Sequence, residues 1–455
     1  MPSQYAKPVR AMLTALSMLV AVSGAAATGP LEDALAAHGQ GDYATALRLL
    51  RPLADAGSDD AQYNLGVMYF AGNGVPPNRD EAAKWYGLAA KQGHAMAQYN
   101  LGVMRAHGDG VAKNEAEAIK WFHLAADQGY APAQYDLGFM FGNGQGVPQN
   151  YAEAITWFRL AAAQGLAAAQ YSLGLRYHNG EGTPRDYGEA AKWFRLAADQ
   201  GHIDASYTLG VLYGLGQGVP PSRGEAAKWF GLAAKQGHAS AQYNLGVMCE
   251  RGDGVPQNYG EALKWYRLAA DQNNASAQHN LGVFYENGQG VTQSYAEAAK
   301  WYRLAADQRD ANAQNNLGSM YLKGQGVPQS NAEAIKWYRL AADQNNAGAR
   351  FNLGAIHAKG LGPDVPQNYA EAVKWYSLAA GQGYAAAQYN LGLSFVIGQG
   401  VPQDLVQAYM WFELSAARGM PTAAANRKVA AEKMTAAQLA EAQKLVREWK
   451  PTAVP

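Results

Sequence analysis

The sequence predicts an all-α fold, a right-handed superhelical solenoid of stacked antiparallel helix pairs. Three observations predict it. Tryptophan recurs at 85, 121, 157, 193, 229, 265, 301 and 337, always 36 residues apart, and then at 375 and 411. A fixed period of this size marks a repeat architecture, in which one supersecondary unit is copied and stacked. Each unit holds two helical stretches parted by glycine-bearing turns. Each unit also repeats one helix-start signal.

Along the chain, residues 1–27 come first. Lys7 and Arg10 precede an apolar stretch from Ala11 to Val22, and Ser23-Gly-Ala-Ala-Ala27 offers small residues for cleavage after Ala27. We expect a removed signal peptide and a periplasmic or secreted mature chain. The apolar run is shorter than the roughly 20 residues of a membrane span, and the rest of the sequence holds no transmembrane segment. Residues 28–60 read as a helical hairpin running from Leu31 to Asp60, a degenerate repeat or cap whose second helix starts at Asp42.

Residues 61–422 form ten repeats. In the unit Ala241–Ser276 the first helix places Ala241, Leu245, Met248 and Cys249 on one stripe. It ends at Gly-x-Gly, where glycine enters the left-handed conformation that stops a helix, and proline usually follows. The second helix is expected to bury Trp265, Leu268 and Ala269. Its start pairs a small polar residue with Glu or Gln three positions on, from Asn78/Glu81 through Ser222/Glu225 to Asp404/Gln407. This reads as a capping box in all ten units, which gives these glutamates a structural role. The second helix ends at Gly or Asn nearly everywhere; Arg309 is the exception. Residues 423–455 read as a helical cap, whose last helix starts at Thr435 and lines up Leu439, Ala442, Val446 and Trp449.

Composition narrows the function. Lys plus Arg and Asp plus Glu both number 37, and removing residues 1–27 leaves a net charge of −2. No basic cluster offers itself to nucleic acid. The one cysteine, Cys249, permits no intramolecular disulfide and no cysteine-rich zinc site. The Gly-x-Gly loops lack the Lys-Ser/Thr ending of a phosphate loop. No His-x-x-x-His pair or Gly-x-Ser-x-Gly elbow occurs, and His94, His202 and His238 recur at one turn position. We therefore expect no catalytic residues, no metal, no cofactor and no enzyme activity.

The blocks Ala-Gln-Tyr-Asn-Leu-Gly, Gly-x-Gly-Val-Pro-Gln-Asn and Glu-Ala-x-Lys-Trp-Tyr-x-Leu-Ala-Ala resemble the Sel-one-like repeat family, a branch of the tetratricopeptide superfamily. The resemblance covers residues 61–422. It departs at Ala112 and Thr292, where proline is usual, and at two extra residues within Gly360–Pro366. It implies a tetratricopeptide-like solenoid acting as an adaptor or scaffold, associated when exported with envelope assembly, polysaccharide secretion and host contact. A cysteine-bridged subset is linked to β-lactam binding and hydrolysis. This chain lacks those cysteines, so that activity transfers poorly.

Two rows carry the candidate binding site. The residue before Leu-Gly is polar in every unit: Asn64, Asn100, Asp136, Ser172, Thr208, Asn244, Asn280, Asn316, Asn352 and Asn390. Asparagine both donates and accepts, so the row suits the backbone of an extended peptide. In tetratricopeptide proteins the matching asparagine often lines the concave groove. Beside it run Tyr63, Tyr99, Tyr135, Tyr171, Tyr207 and Tyr243, broken by His279 and Asn315, then Phe351 and Tyr389. Tyrosine offers a rigid apolar body with a polar tip to peptides or sugars. Both rows equally suit packing between repeats. Glu250, Glu286 and Arg350 are candidate determinants of partner choice. The expected partner is a protein, as an extended peptide or a domain; envelope polysaccharide or peptidoglycan is the alternative.

Overall fold

In the computed structural model, residues 29–363 and 365–452 are described. The expected signal peptide, residues 1–27, lies outside them. The described residues form 24 α-helices and no strand. The chain divides into two compact units at Pro221/Ser222, between the two helices of the fifth repeat. Each unit is a run of helices in which sequence neighbours pack side by side. In both, a repeat contributes a first helix, a Gly-x-Gly loop and a second helix.

The local signals act where the sequence places them. Tyr43–Asp55 is capped by Asp42, which accepts from the Thr45 N–H. First helices end on left-handed glycines, as at Gly72 (φ 80°) and Gly324 (φ 68°). The second glycine of the loop acts differently, lying on the first turn of the preceding repeat's second helix. A Cβ on Gly182 would meet the Tyr151 backbone at 2.6 Å, and one on Gly326 would meet the Tyr295 carbonyl oxygen at 2.1 Å. Glycine is required there by close approach as well as by φ. Second helices end left-handed too, and Arg309 (φ 69°) adopts the conformation that Asn273 and Asn345 (both φ 64°) adopt in neighbouring repeats.

The core is shared between repeats. In the first unit one cluster joins Tyr99, Val103, Phe122 and Ala125 of the second repeat to Ala133, Leu137 and Met140 of the third. No single repeat closes a core alone. Within a repeat, the glycine of Leu-Gly lets a second-helix aromatic lie on the first-helix backbone. A Cβ on Gly138 would stand 2.6 Å from the Phe158 ring, and one on Gly282 would stand 2.4 Å from Tyr302.

Two expectations need correction. Leu268 is 41% exposed rather than buried, as are its counterparts Leu304 and Leu340 at 41% and 42%. The buried stripe is Ala262, Tyr266, Ala269 and Ala270, at spacings of four, seven and eight, and Leu268 falls off it. Trp265 is half-buried. The capping box is also only half formed in the repeats. Asn78, Ser294 and Asn368, like the others, accept from the N–H three residues on. The reciprocal bond is missing because the cap's own N–H is already engaged by the first helix: Asn78 donates to Tyr69, Ser294 to Tyr285 and Asn368 to His357. The freed glutamates pair instead with Lys at i+3, as Glu81 with Lys84 and Glu371 with Lys374. A complete box forms at Thr435/Gln438, where the cap N–H donates to Gln438 at 2.9 Å.

At the C-terminus, Ala442 is buried while Leu439, Val446 and Trp449 are half-buried. The Arg418 guanidinium lies 4.7 Å from the Trp449 ring centre, and the Thr452 N–H donates to Gly381.

Candidate functional site

Both candidate rows sit on first helices, one residue apart. Every member is half-buried except Tyr99, which is 6% exposed. The rows bond to each other across repeats. In the first unit the Asn100 side chain bonds Tyr63, Asp136 bonds Tyr99, and Ser172 bonds Tyr135. In the second unit Asn316 lies 3.3 Å from His279, and Asn352 donates to Asn315 at 2.9 Å. Asn426, beyond the last repeat, donates to Tyr389 at 3.2 Å. What recurs along the second row is thus a polar tip, lost at Phe351, and His279 and Asn315 keep the link where tyrosine is absent.

A second bond ties the Asn row inward, to the aromatic that lies on the Leu-Gly backbone. Asn100 bonds Tyr86, Asn280 bonds Tyr266, Asn316 bonds Tyr302 and Asn390 bonds Tyr376. Asn64 and Thr208 instead turn back on their own helices, to Asp60 and Asp204. Asn244 is half-buried on the first helix of the sixth repeat. The Tyr row leans on the inner aromatics: ring centres are 5.9 Å apart for Tyr63–Tyr86, 5.8 Å for Tyr135–Phe158 and 6.0 Å for Tyr243–Tyr266. Tyr207 is half-buried, and Tyr171 stacks on His202 at 4.6 Å.

Burial marks the row electrostatically. It raises the phenols of Tyr63 and Tyr135 above their ordinary range. Asp136, standing where most repeats carry Asn, is pushed up to about 7 by burial against a smaller opposing effect of its bond to Tyr99. Glu250 and Glu286 are bound into the same fabric, accepting from Tyr266 at 2.5 Å and Tyr302 at 2.6 Å.

The recurrent histidines are helix caps. His94 and His202 accept the N–H of Ala97 and Ala205 through Nδ1, and His238 caps Ala241 in the same way. Among the described residues no group of three or more His, Cys, Asp or Glu side chains stands close enough to hold a metal. Cys249 is buried. No described helix is long and apolar enough to cross a membrane.

Sequence reasoning missed a third row. Gln62, Gln98, Gln134, Gln170, Gln242, Gln278, Gln314 and Gln388 are all at most 5% exposed. Each donates to a carbonyl of the preceding second helix, as Gln278 to Ala270 at 3.1 Å. Most also accept from the glutamine ending their own repeat's second helix, as Gln278 from Gln308 at 2.7 Å. The available signal was the pair of glutamines, one in Ala-Gln-Tyr and one after the second helix, 30 residues apart. Arg350 occupies this row, bonding Ala342 and Asn345. Gln382, deprived of a glutamine partner, turns to the Asn345 carbonyl at 2.8 Å.

Ten consecutive segments match the Sel1 repeat, at 59–94, 95–130, 131–166, 167–202, 203–238, 239–274, 275–310, 311–346, 347–384 and 385–420. The chain is similar to the crystal structure of a protective antigen with this repeat fold present in uropathogenic Escherichia coli strains. They share 34% identity over 89% of this chain and 94% of that one, with a TM-score of 0.68. It is also similar to a Sel1 repeat protein from Oxalobacter formigenes, at 33% identity over 75% of this chain and 98% of that one, with a TM-score of 0.53. No curated protein matches the chain.

Proposed function

We propose that this chain, which belongs to the Sel1 repeat family, is an exported scaffold that binds a protein partner along the concave face built by its first helices. The carrying observation is the pair of half-buried polar rows, which recur on one side of every first helix. Their bonds to one another hold the side chains in fixed rotamers, so a partner meets groups whose ordering entropy is already spent. Many modest contacts along the rows sum to affinity.

Export is supported by the basic and apolar pattern of residues 1–27. The similar E. coli protein is described as a protective antigen, which suits a location open to the immune system. The Tyr rings lean on inner aromatics, which covers part of the faces that a sugar would stack on and favours a protein partner over a polysaccharide.

The test is photo-crosslinking in envelope extract, with a crosslinking residue at Glu286 beside the rows or at exposed Leu268 on a second helix. A discrete protein adduct from Glu286 and none from Leu268 is expected. Adducts from Leu268 alone would move the working surface to the second helices.

A further inference from the structure

The ninth repeat departs from its neighbours in two ways that meet at one place. Elsewhere in the second unit the second loop glycine lies on the preceding second helix: Gly290 on Tyr259, Gly326 on Tyr295, Gly400 on Tyr369. The ninth loop has two extra residues, and its corresponding Gly362 has nothing within 4 Å of where its Cβ would be. The departure begins at Gly360, whose ψ is 157° where Gly324 has 33°. The loop closes on itself, Leu361 donating to Val365 at 2.9 Å, and meets the helix Asn331–Asp343 at the Asn331 side chain, which donates to the Leu361 carbonyl at 3.4 Å, rather than through Gly362.

The second departure is a lost partner. Arg267 and Arg303 each donate to the tyrosine 18 residues on, Tyr285 and Tyr321. At the same spacing Arg339 faces His357, which is shorter and has no hydroxyl. A cavity of about 610 Å³ opens between them, lined by Arg339, His357, Ile335, Val365, Pro366 and the polar side chain of Asn331 among others. That volume falls within the range of small-ligand sites.

We propose that this cavity binds a monocarboxylate with an apolar body, either a free small acid or the C-terminal carboxylate of a peptide. The Arg339 guanidinium, released from a tyrosine hydroxyl, offers a forked donor pair to a carboxylate. His357 stands beside it, and burial lowers its basicity, so it donates as a neutral imidazole. One cation matches one negative charge, while Ile335, Val365 and Pro366 face the apolar body. The nearby Glu371 is already paired with Lys374 at 2.9 Å.

Saturation-transfer NMR and calorimetry on the purified chain test this with N-acetyl-leucine and N-acetyl-leucinamide. The acid is expected to bind at least about tenfold more tightly than the amide. Arg339→Met is expected to lose about tenfold or more, as is His357→Tyr, which restores the hydroxyl partner. Arg339 is exposed, and circular dichroism checks that both variants keep their helices. A pentapeptide ending in a free leucine separates the two sources. Affinity well above that of N-acetyl-leucine identifies a protein C-terminus, and equal affinity identifies a free acid. No binding of the acid, equal binding of the amide, or unchanged binding by both variants overturns the proposal. The purified chain needs no envelope partner here, so failure leaves the scaffold reading standing.

Discussion

The Gln row and the Asn row run along the same first helices, two residues apart, yet they differ in uniformity. The Gln row is buried and is glutamine in eight repeats. The Asn row is half-buried and admits Asp136, Ser172 and Thr208. Both bond neighbouring segments, so hydrogen bonding alone does not separate them. Access to water does. The Ala270 carbonyl keeps the Asn273 N–H if Gln278 is removed, but water does not replace the buried Gln278 amide, whereas a half-buried tyrosine hydroxyl reaches solvent. Variation is tolerated where water fills in, and a surface that tolerates variation is one that selection can adapt to a partner.

The largest effect should come from breaking the buried row. Gln278→Leu removes two bonds, to the Ala270 carbonyl and from the Gln308 amide, and about 2 kcal/mol of stability is expected to disappear in urea unfolding. The Asn row contains its own pH experiment. Asp136 has a folded pKa near 7, well above the ordinary 3.8. Its protonated form is favoured by the fold, so its contribution is full below about 3.8 and is lost as pH rises through about 7. Asp136→Asn should therefore raise Tm at pH 8 and leave it nearly unchanged at pH 4. A gain independent of pH would show that the carboxyl is solvated.

A smaller loss, about 1 kcal/mol, is expected for Asn316→Ala, which removes bonds to Tyr302 and His279. Were it as costly as Gln278→Leu, burial would not be what distinguishes the rows. The mildest effect concerns His202, which stacks on Tyr171 and caps Ala205 as a neutral ring. Burial holds its pKa below 6.5. Its stabilisation is present above 6.5 and fades as pH falls toward the lower folded value. His202→Asn, matching the Asn274 and Asn346 caps, should flatten the decline in Tm between pH 7 and pH 5.

The helix pairs were legible because their signals are local: an apolar stripe, a terminating glycine, a polar cap. The reciprocal half of the box was not, because the competing acceptor for the Asn78 N–H is the Tyr69 carbonyl, in another helix. Leu268 misled because apolar character alone does not say which side of an alanine-rich helix faces inward. The Gln row went unread because a polar residue beside Tyr and Asn looks like surface until the partner glutamine is brought against it. The two rows of the candidate site were visible as a period, but their bonding to each other needed the stacking register.

The clasp at the C-terminus has a mechanical meaning. Repeats held only by their neighbours peel from an end, because the last unit has half the contacts of an inner one. Here the chain doubles back: Arg418 covers Trp449, and Thr452 is tied to Gly381 of the ninth repeat. A pull on this end would load the tie to Gly381 before any repeat opened, so the first rupture under force reports on the clasp and the later ones on individual repeats.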